Sequence, residues 1–556
     1  MTETHPGAGA VIRPAATLIL LRDGADGLEV FMQQRTASAA FFGGAYVFPG
    51  GALDAEDNEA RLAQRVVGLT AEAADARLSL QQGALAYWIA AIRECFEESG
   101  ILLACDAAGA PAAPERLAAA SADRDALNRS EIDFATLLER HGLMLPGSEL
   151  VYFDHWITPP IRPRRFDTRF FIARAPHGQH GAHDNAETVA SVWLSPREAL
   201  ARGERREIEI VFATGIVLNE LARFASVDAL LDHVRAKDHI PSNRVAVAQG
   251  AKGRRHFAHR DAPYHEIHWS DPEETTQTTY DIVAGVPKKL DRYVTRIVAP
   301  NPGKMTGPGT NSYLVGEDEL AVIDPGPPID SHVAAILAAG QGRIRWILCT
   351  HTHRDHSPAA RALQQATGAR VIGYPAPPGE TQDSTFAPDW QPKHGERLAL
   401  GGIAFTALHT PGHASNHLCY LLESTRMLFT GDHVMQGSTV VINPPDGDMH
   451  AYLHSLEALL AQDIAIIAPG HGYLVGDPHR EIRHLIRHRT WRENRVLDAL
   501  ARADGATCEA LVPVVYADVP VGLHPAAARS LLAHLGKLVV DGRAVERDGC
   551  YFVERA

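Results

Sequence analysis

Apolar positions along this chain follow two rhythms in its first half and a third in its second. AATLILL near residue 15 and LEVFMQQR near residue 28 are short β-type runs. The turn-forming pairs Asp23-Gly24 and Asp26-Gly27 separate them, which predicts a hairpin. Over 84–99, Leu85, Trp88, Ile89, Ile92, Cys95 and Phe96 recur at three- and four-residue spacing, predicting a helix with one apolar and one acidic face. RFDTRFFIA and ETVASVWL read as strands, with helical stretches around 196–203 and 213–235 after them, and this first unit ends near 250. Residues 251–290 are polar, rich in charge and His, and without a period, so they read as a linker or extended arm. From 291 to 472, short apolar runs alternate with helix-like segments, as in layered strands and helices. Beyond 480 the pattern gives helices followed by a small β-ribbon, and no internal repeat is found.

A chain of 556 residues exceeds one core and, at roughly 100–200 residues per domain, predicts about three or four compact units. Apolar residues at 45% and charged residues at 22% exclude the signature of disorder. A formal charge of −14 disfavours a protein that coats nucleic acid or anionic membrane. The six cysteines have no paired spacing, so neither a disulfide framework nor a zinc ribbon is expected. The apolar stretch Ala15–Leu21 is too short for a signal or membrane segment, which predicts a cytoplasmic protein that engages no membrane and leaves the oligomeric state open.

The densest chemistry lies in the second half, where four apolar runs stop abruptly at polar clusters. RIRWILCT precedes HTHRDH (351–356), IAFTAL precedes HTPGH (409–413), RMLFT precedes GDH (431–433), and IAIIAP precedes GHG (470–472). Strands ending at one edge of a layered fold deliver their loops to a common rim, so the clusters can converge. In HTHRDH, His351 and His353 sit two apart, with Asp355 and His356 facing the other way, a spacing suited to two adjacent metals. A chain with 29 histidines produces single His pairs by chance, but not four such clusters in this order.

HTHRDH followed by His413, Asp432 and His471 resembles the metallo-β-lactamase superfamily. The resemblance implies that His351, His353 and His413 hold a first metal and that Asp355, His356 and His471 hold a second, with Asp432 bridging and Asp355 also among the catalytic positions. It implies two zinc ions, manganese or iron being compatible with the same ligands. Such a pair acidifies a shared water and provides a nucleophile without Ser or Cys. His409, His417 and His433 fall outside the ligand pattern and are expected to support it. With NPGKMTGPGTNSYLVG (301–316) and HLGKLVVDGRA, residues 291–556 are similar to the mitochondrial β-lactamase-like endoribonuclease branch, which implies a winged-helix-like tail and leaves single-stranded RNA as one substrate class. Glyoxalase II and thioesterase-like members share the ligands, so the ligands do not name the substrate, and a thioester or related ester is the expected one with RNA the alternative. Residues 481–556 hold eleven basic and ten acidic residues, short of the clear excess of a backbone-binding module.

In the first half, Glu94, Glu97 and Glu98 share one face of the acidic helix. Three like charges repel, and hard carboxylate oxygens are what magnesium or manganese prefers. REcfEEsGI (93–101) preceded by Phe48-Pro49-Gly50-Gly51 resembles the Nudix hydrolase family, which implies that Glu94, Glu97 and Glu98 bind magnesium or manganese or activate water. About 28 extra residues interrupt the box, leaving its early acidic residue open between Glu56 and Asp57. With AFFGGAYVFPGG and WITPPIRPRRFDTRFFIA, residues 10–250 look like the coenzyme A diphosphatase group of that family. Arg164, Arg165 and Arg169 are candidates for phosphate binding or for plain ion pairs. Glu187 is a weaker candidate ligand.

The expected chain is multidomain. A Nudix α/β/α sandwich (10–250), a linker (251–290), a metallo-β-lactamase αββα sandwich (291–480) and a small winged-helix-like tail (481–556) follow in order. The expected substrates are small molecules of coenzyme A or nucleotide type, with RNA the alternative for the second hydrolytic centre. A third reading makes one domain a docking module, against which both ligand sets stand intact.

Overall fold

The computed structural model describes residues 11–37, 42–179, 181, 188–503 and 505–554, and Glu187 lies outside them. The chain forms two compact units, Met1–Val247 with His256–Arg260, and Ala248–Arg255 with Asp261–Ala556.

The first unit is built on a nine-stranded mixed sheet among the described residues. Ile12–Gly24 and Gly27–Arg35 make the expected hairpin, with Gly24 opposite Gly27. Ile12–Gly24 also runs parallel to Arg165–Arg174 at the sheet centre. The near-continuous apolar run of the first strand follows from burial on both faces. Leu18 and Leu20 pack with Trp88, Ile92 and Phe96 of the helix Leu85–Ser99, while Ile19 and Leu21 pack with Val217, Leu221 and Leu230 on the opposite side. This is the α/β/α sandwich. The helical stretch expected over 213–235 is two helices, Phe212–Leu221 and Val227–Arg235, and the second is started by the Ser226 hydroxyl accepting from Ala229 N.

In the second unit, a six-stranded and a five-stranded sheet face each other. Tyr313, Ile323, Leu348 and Ile372 of one interdigitate with Phe405, Leu418, Tyr420 and Phe429 of the other. Helices cover both outer faces, Asp330–Gly340 and Ala360–Thr367 on one and Met449–Leu459 with Pro478–Ala503 on the other, giving the αββα sandwich. The tail continues through Cys508–Val515 and His524–Val540 to the ribbon Ala544–Arg547/Cys550–Val553, around its own small core of Val496, Leu511, Leu531 and Leu535. No helix among the described residues is long and apolar enough to cross a membrane.

The 251–290 stretch is not a plain spacer. It contains the helix Tyr264–Ser270, whose Glu266 is fully buried and held by Arg296 at 2.6 and 2.9 Å and by Lys288 at 2.6 Å. Tyr264 and Ile267 of the same helix are buried too, but seven residues around an ion-pair cluster give too short an apolar pattern for pattern reading to find.

Candidate metal centres

All four strand ends of the second unit deliver their clusters to one rim. Ile344–Leu348 runs into His351–His356, Ile403–His409 into His413, Met427–Gly431 into Asp432, and Ile466–Pro469 into His471. The side chains sort into two donor sets. His351, His353 and His413 form one, and Asp355, His356, Asp432 and His471 the other. In the first set His353 Nδ1 lies 3.0 Å from both His351 Nε2 and His413 Nε2. Three ring nitrogens aimed at one point are a trigonal face of donors. In the second, Asp432 Oδ1 lies 3.3 Å from His471 Nε2 and 3.4 Å from His356 Nε2, while its Oδ2 lies 3.7 Å from His413 Nε2. Asp432 therefore turns one oxygen to each set. Asp355 Oδ2 stands 3.4 Å from His471.

The outer ring nitrogens are held from behind, which fixes the inward ones. His351 Nδ1 meets the Thr350 hydroxyl at 3.0 Å, His356 Nδ1 meets Asp324 at 2.9 Å, His413 Nδ1 donates to the Val441 carbonyl at 2.9 Å, and His471 Nδ1 lies 3.2 Å from the Gly309 carbonyl. Asp324 also accepts from Thr350 N and Oγ1, each at 2.7 Å, and holds a left-handed backbone (φ +48°), a cost tolerated where structure over-determines it. Sequence reading misses Asp324. His417 stacks on His351 at 5.1 Å and His433 lies behind His417, both buried, whereas His409 lies against Tyr374 with its Nε2 3.0 Å from the Ser415 carbonyl.

Burial and the surrounding imidazoles push His351 well below the usual histidine range and His353 down to about 3, so both rings are neutral. Against its burial, the carboxylates of Asp432 and Asp355 raise His471 to about 9, and Asp355, Asp432 and Asp324 raise His356. The second set thus attracts positive charge. His356 Nε2, His471 Nε2 and Asp432 Oδ1 are buried without a hydrogen-bond partner, and Gly470 leaves no room for a side chain, since a Cβ would fall 2.8 Å from Asp432 Oδ1. Buried polar atoms so arranged fit divalent cations.

In the first unit the three glutamates do not meet at one point. Glu94 and Glu97 share Arg93 Nη1 at 3.0 and 2.9 Å, whereas Glu98 is buried and accepts from Gly50 N at 3.0 Å. Arg93 is gripped in turn by Asp57 at 2.9 Å through both its Nε and its Nη2. Asp57 is buried and Glu56 exposed, so the early acid of the interrupted box that joins this network is Asp57. Burial drives Glu94 up to about 7 in spite of the neighbouring Arg93. Glu94 lines a cavity of about 880 Å³ together with Arg13, Arg35, Arg162 and Arg164, and with Trp156 and Phe212. Of the candidate phosphate ligands, only Arg164 reaches this cavity. Arg169 is buried against Asp167 and His155, and Arg165 Nε donates to the Thr158 carbonyl.

A model of the metallo-beta-lactamase superfamily matches residues 305–471, one of the NUDT19 Nudix domain matches 70–214, and one of the beta-lactamase associated winged helix domain matches 507–551. The Beta-lactamase-like protein 2 homolog of Drosophila melanogaster is 31% identical over 277 residues, 46% of this chain and 90% of that protein. An atrochrysone carboxyl ACP thioesterase of Aspergillus chevalieri is 32% identical, over 42% of this chain and 76% of that protein. The crystal structure of a NUDIX hydrolase from Alicyclobacillus acidocaldarius is 31% identical, covering 40% of this chain and 96% of that one, with a TM-score of 0.33. Both domains are thus those of hydrolases. The chain belongs to the metallo-beta-lactamase superfamily, with a NUDT19-type Nudix domain before the superfamily domain and the associated winged helix after it.

Proposed function

We propose that this chain is a bifunctional metal-dependent hydrolase whose second unit cleaves a thioester or related ester and whose first cleaves a diphosphate in coenzyme A, acyl-coenzyme A or another substituted nucleoside diphosphate. The observation that carries the first part is the pair of donor sets joined through the two oxygens of Asp432. His351, His353 and His413 would hold one cation, Asp355, His356 and His471 the other. Bound there, two divalent ions supply charge for a developing oxyanion and acidify water. The chain's own share is to orient four of the five imidazoles by tying an outer nitrogen to Thr350, Asp324, Val441 or Gly309, to place Asp432 between the sets, and to leave Asp355, partly open to solvent, at the edge of the second set. A relative named as an acyl carrier protein thioesterase supports a thioester over other esters.

In the first unit, Glu94 and Glu97 are side by side and would hold a magnesium or manganese ion, which would supply positive charge for a diphosphate. Arg13, Arg162 and Arg164 line the same cavity as Glu94, where guanidinium groups match phosphate oxygens. Asp57 fixes Arg93, and the Gly50 amide fixes Glu98.

The test offers acyl-coenzyme A and single-stranded RNA in parallel to the purified chain with magnesium and zinc, with Asp432→Ala as control. Release of free thiol or of diphosphate cleavage products with intact RNA is expected. RNA cleavage lost in Asp432→Ala would instead make the second unit a nuclease.

A further inference from the structure

The ligand His413 depends on an irregular segment. Its Nδ1 donates to the carbonyl of Val441, and residues 432–448, which contain Val441, hold no helix or strand. No backbone ladder fixes this carbonyl, so something else must. The neighbouring Val440 carbonyl accepts from Arg489 Nη2, and Arg489 comes from the long tail helix Pro478–Ala503.

Arg489 is an unusual residue to bury. It is 2% exposed, its Nε has no hydrogen-bond partner, and no carboxylate pairs with it among the described residues. Its guanidinium instead lies 5.4 Å from the ring of Tyr452. Tyr452 OH donates to the His433 carbonyl at 2.9 Å, one residue beyond Asp432. Tyr452 also packs beneath Gly412, beside His413, so closely that a Cβ there would fall 2.4 Å from Tyr452 Cα. The loops carrying His413 and Asp432 therefore rest on one Arg489–Tyr452 pair. A buried, uncompensated cation is costly where a Leu or Met would fill the space, unless its position matters.

We propose that Arg489 is a positioning residue for His413, so that the tail helix is part of the scaffold of the first metal set. This rests on the metal-centre reading above. The guanidinium fork holds the 440–441 backbone, and that backbone holds the His413 ring with Nε2 turned inward. Removing the fork frees the ring before it removes any ligand.

The experiment uses the full chain with Zn2+ alone, its affinity read by competition with a chromophoric chelator, its stoichiometry by metal analysis and its melting point in excess chelator. Arg489→Met is expected to weaken the His413 site about tenfold, the range typical of groups behind a ligand. Arg489→Lys, which keeps the charge and stem and loses the fork, gives a smaller loss in the same direction and keeps the test alive if the Met variant does not fold. With substrate, kcat falls more than KM rises. Leu538→Ala, which opens the tail core, lowers the melting point without moving zinc affinity. Wild-type affinity in both Arg489 variants, or equal weakening in Leu538→Ala, would overturn the proposal. A wild-type chain that binds no zinc overturns the metal-centre reading itself and this inference with it.

Discussion

The carboxylate of Asp324 lies 2.9 Å from Nδ1 of His356, behind the second donor set and out of reach of any substrate. It fixes the His356 ring and, through Thr350, the ring of His351, so one buried acid orients a ligand in each set. Asp324→Asn keeps the shape and loses the charge. We expect zinc affinity to fall about 10- to 100-fold while all seven donors remain, the size typical of such outer partners. Metal analysis after dialysis against a graded chelator series reads this. Retention of two ions at wild-type affinity would show that Asp324 serves the backbone turn alone.

The donor sets make a sharper prediction about stoichiometry. Replacing His351 and His353 together removes two of three donors from one set and none from the other. About one ion per chain is expected to be lost. Asp432→Ala touches both sets and is expected to lower both occupancies. If the double histidine variant kept two ions, the grouping of ligands would be wrong.

What the sequence shows of this site follows from one physical regularity. His351, His413, Asp432 and His471 each stand just after an apolar run, and strands that are buried on both faces announce themselves as such runs. Asp324 also follows such a run, LAVI, but the Asp-Pro-Gly after it has the composition of an ordinary turn, and without a histidine nothing marks it. Glu56 and Asp57 are chemically alike neighbours, and only the fold separates the exposed one from the one buried against Arg93. Arg169 shows the same limit, since the sequence leaves it between a phosphate ligand and an ion-pair partner, and the fold sets it beside Asp167.

Glu266 is a similar case with consequences for stability. Its carboxylate is fully buried with Arg296, and Lys288 closes the cluster. Glu266→Gln preserves volume but leaves the Arg296 guanidinium buried with neutral acceptors only, the introduced amide oxygen and the Gly472 carbonyl. Uncompensated burial of this kind costs about 3–5 kcal/mol. A drop of that order in the urea unfolding of the second unit is expected, with the first unit unchanged. A change under about 1 kcal/mol, within the range of ordinary surface substitutions, would mean that the helix Tyr264–Ser270 adds little to the fold.

Gly51, in the short strand Gly50–Ala52, lies against Glu94 of the acidic helix. A Cβ on Gly51 would fall 2.5 Å from a Glu94 carboxylate oxygen, closer than any relaxed contact. Gly51→Ala is therefore expected to displace the Glu94 carboxylate from the cavity and to remove most magnesium-dependent diphosphate cleavage, while the thioester activity of the second unit stays intact. Undiminished diphosphate cleavage would show that Glu94 does not act at that position.

The two chemistries should also separate cleanly under mutation. Glu94, Glu97, Asp57 and the lining arginines belong to the first unit, and all seven histidine and aspartate donors to the second, so neither set borrows a ligand from the other. If each site is complete in itself, Glu97→Gln with Glu98→Gln abolishes magnesium-dependent release of phosphorylated products and leaves thioester hydrolysis at wild-type kcat/KM, and Asp432→Ala does the reverse. Steady-state assays of each variant on each substrate class read both. Losses in the same activity from either substitution would mean one reaction served by both units, and the bifunctional assignment would fall. Separate losses, with rates on a mixed substrate equal to the sum of the single rates, would show two hydrolases sharing a chain, each held together by its own buried acid, Asp57 behind the Arg93 of one and Asp324 behind the His356 of the other.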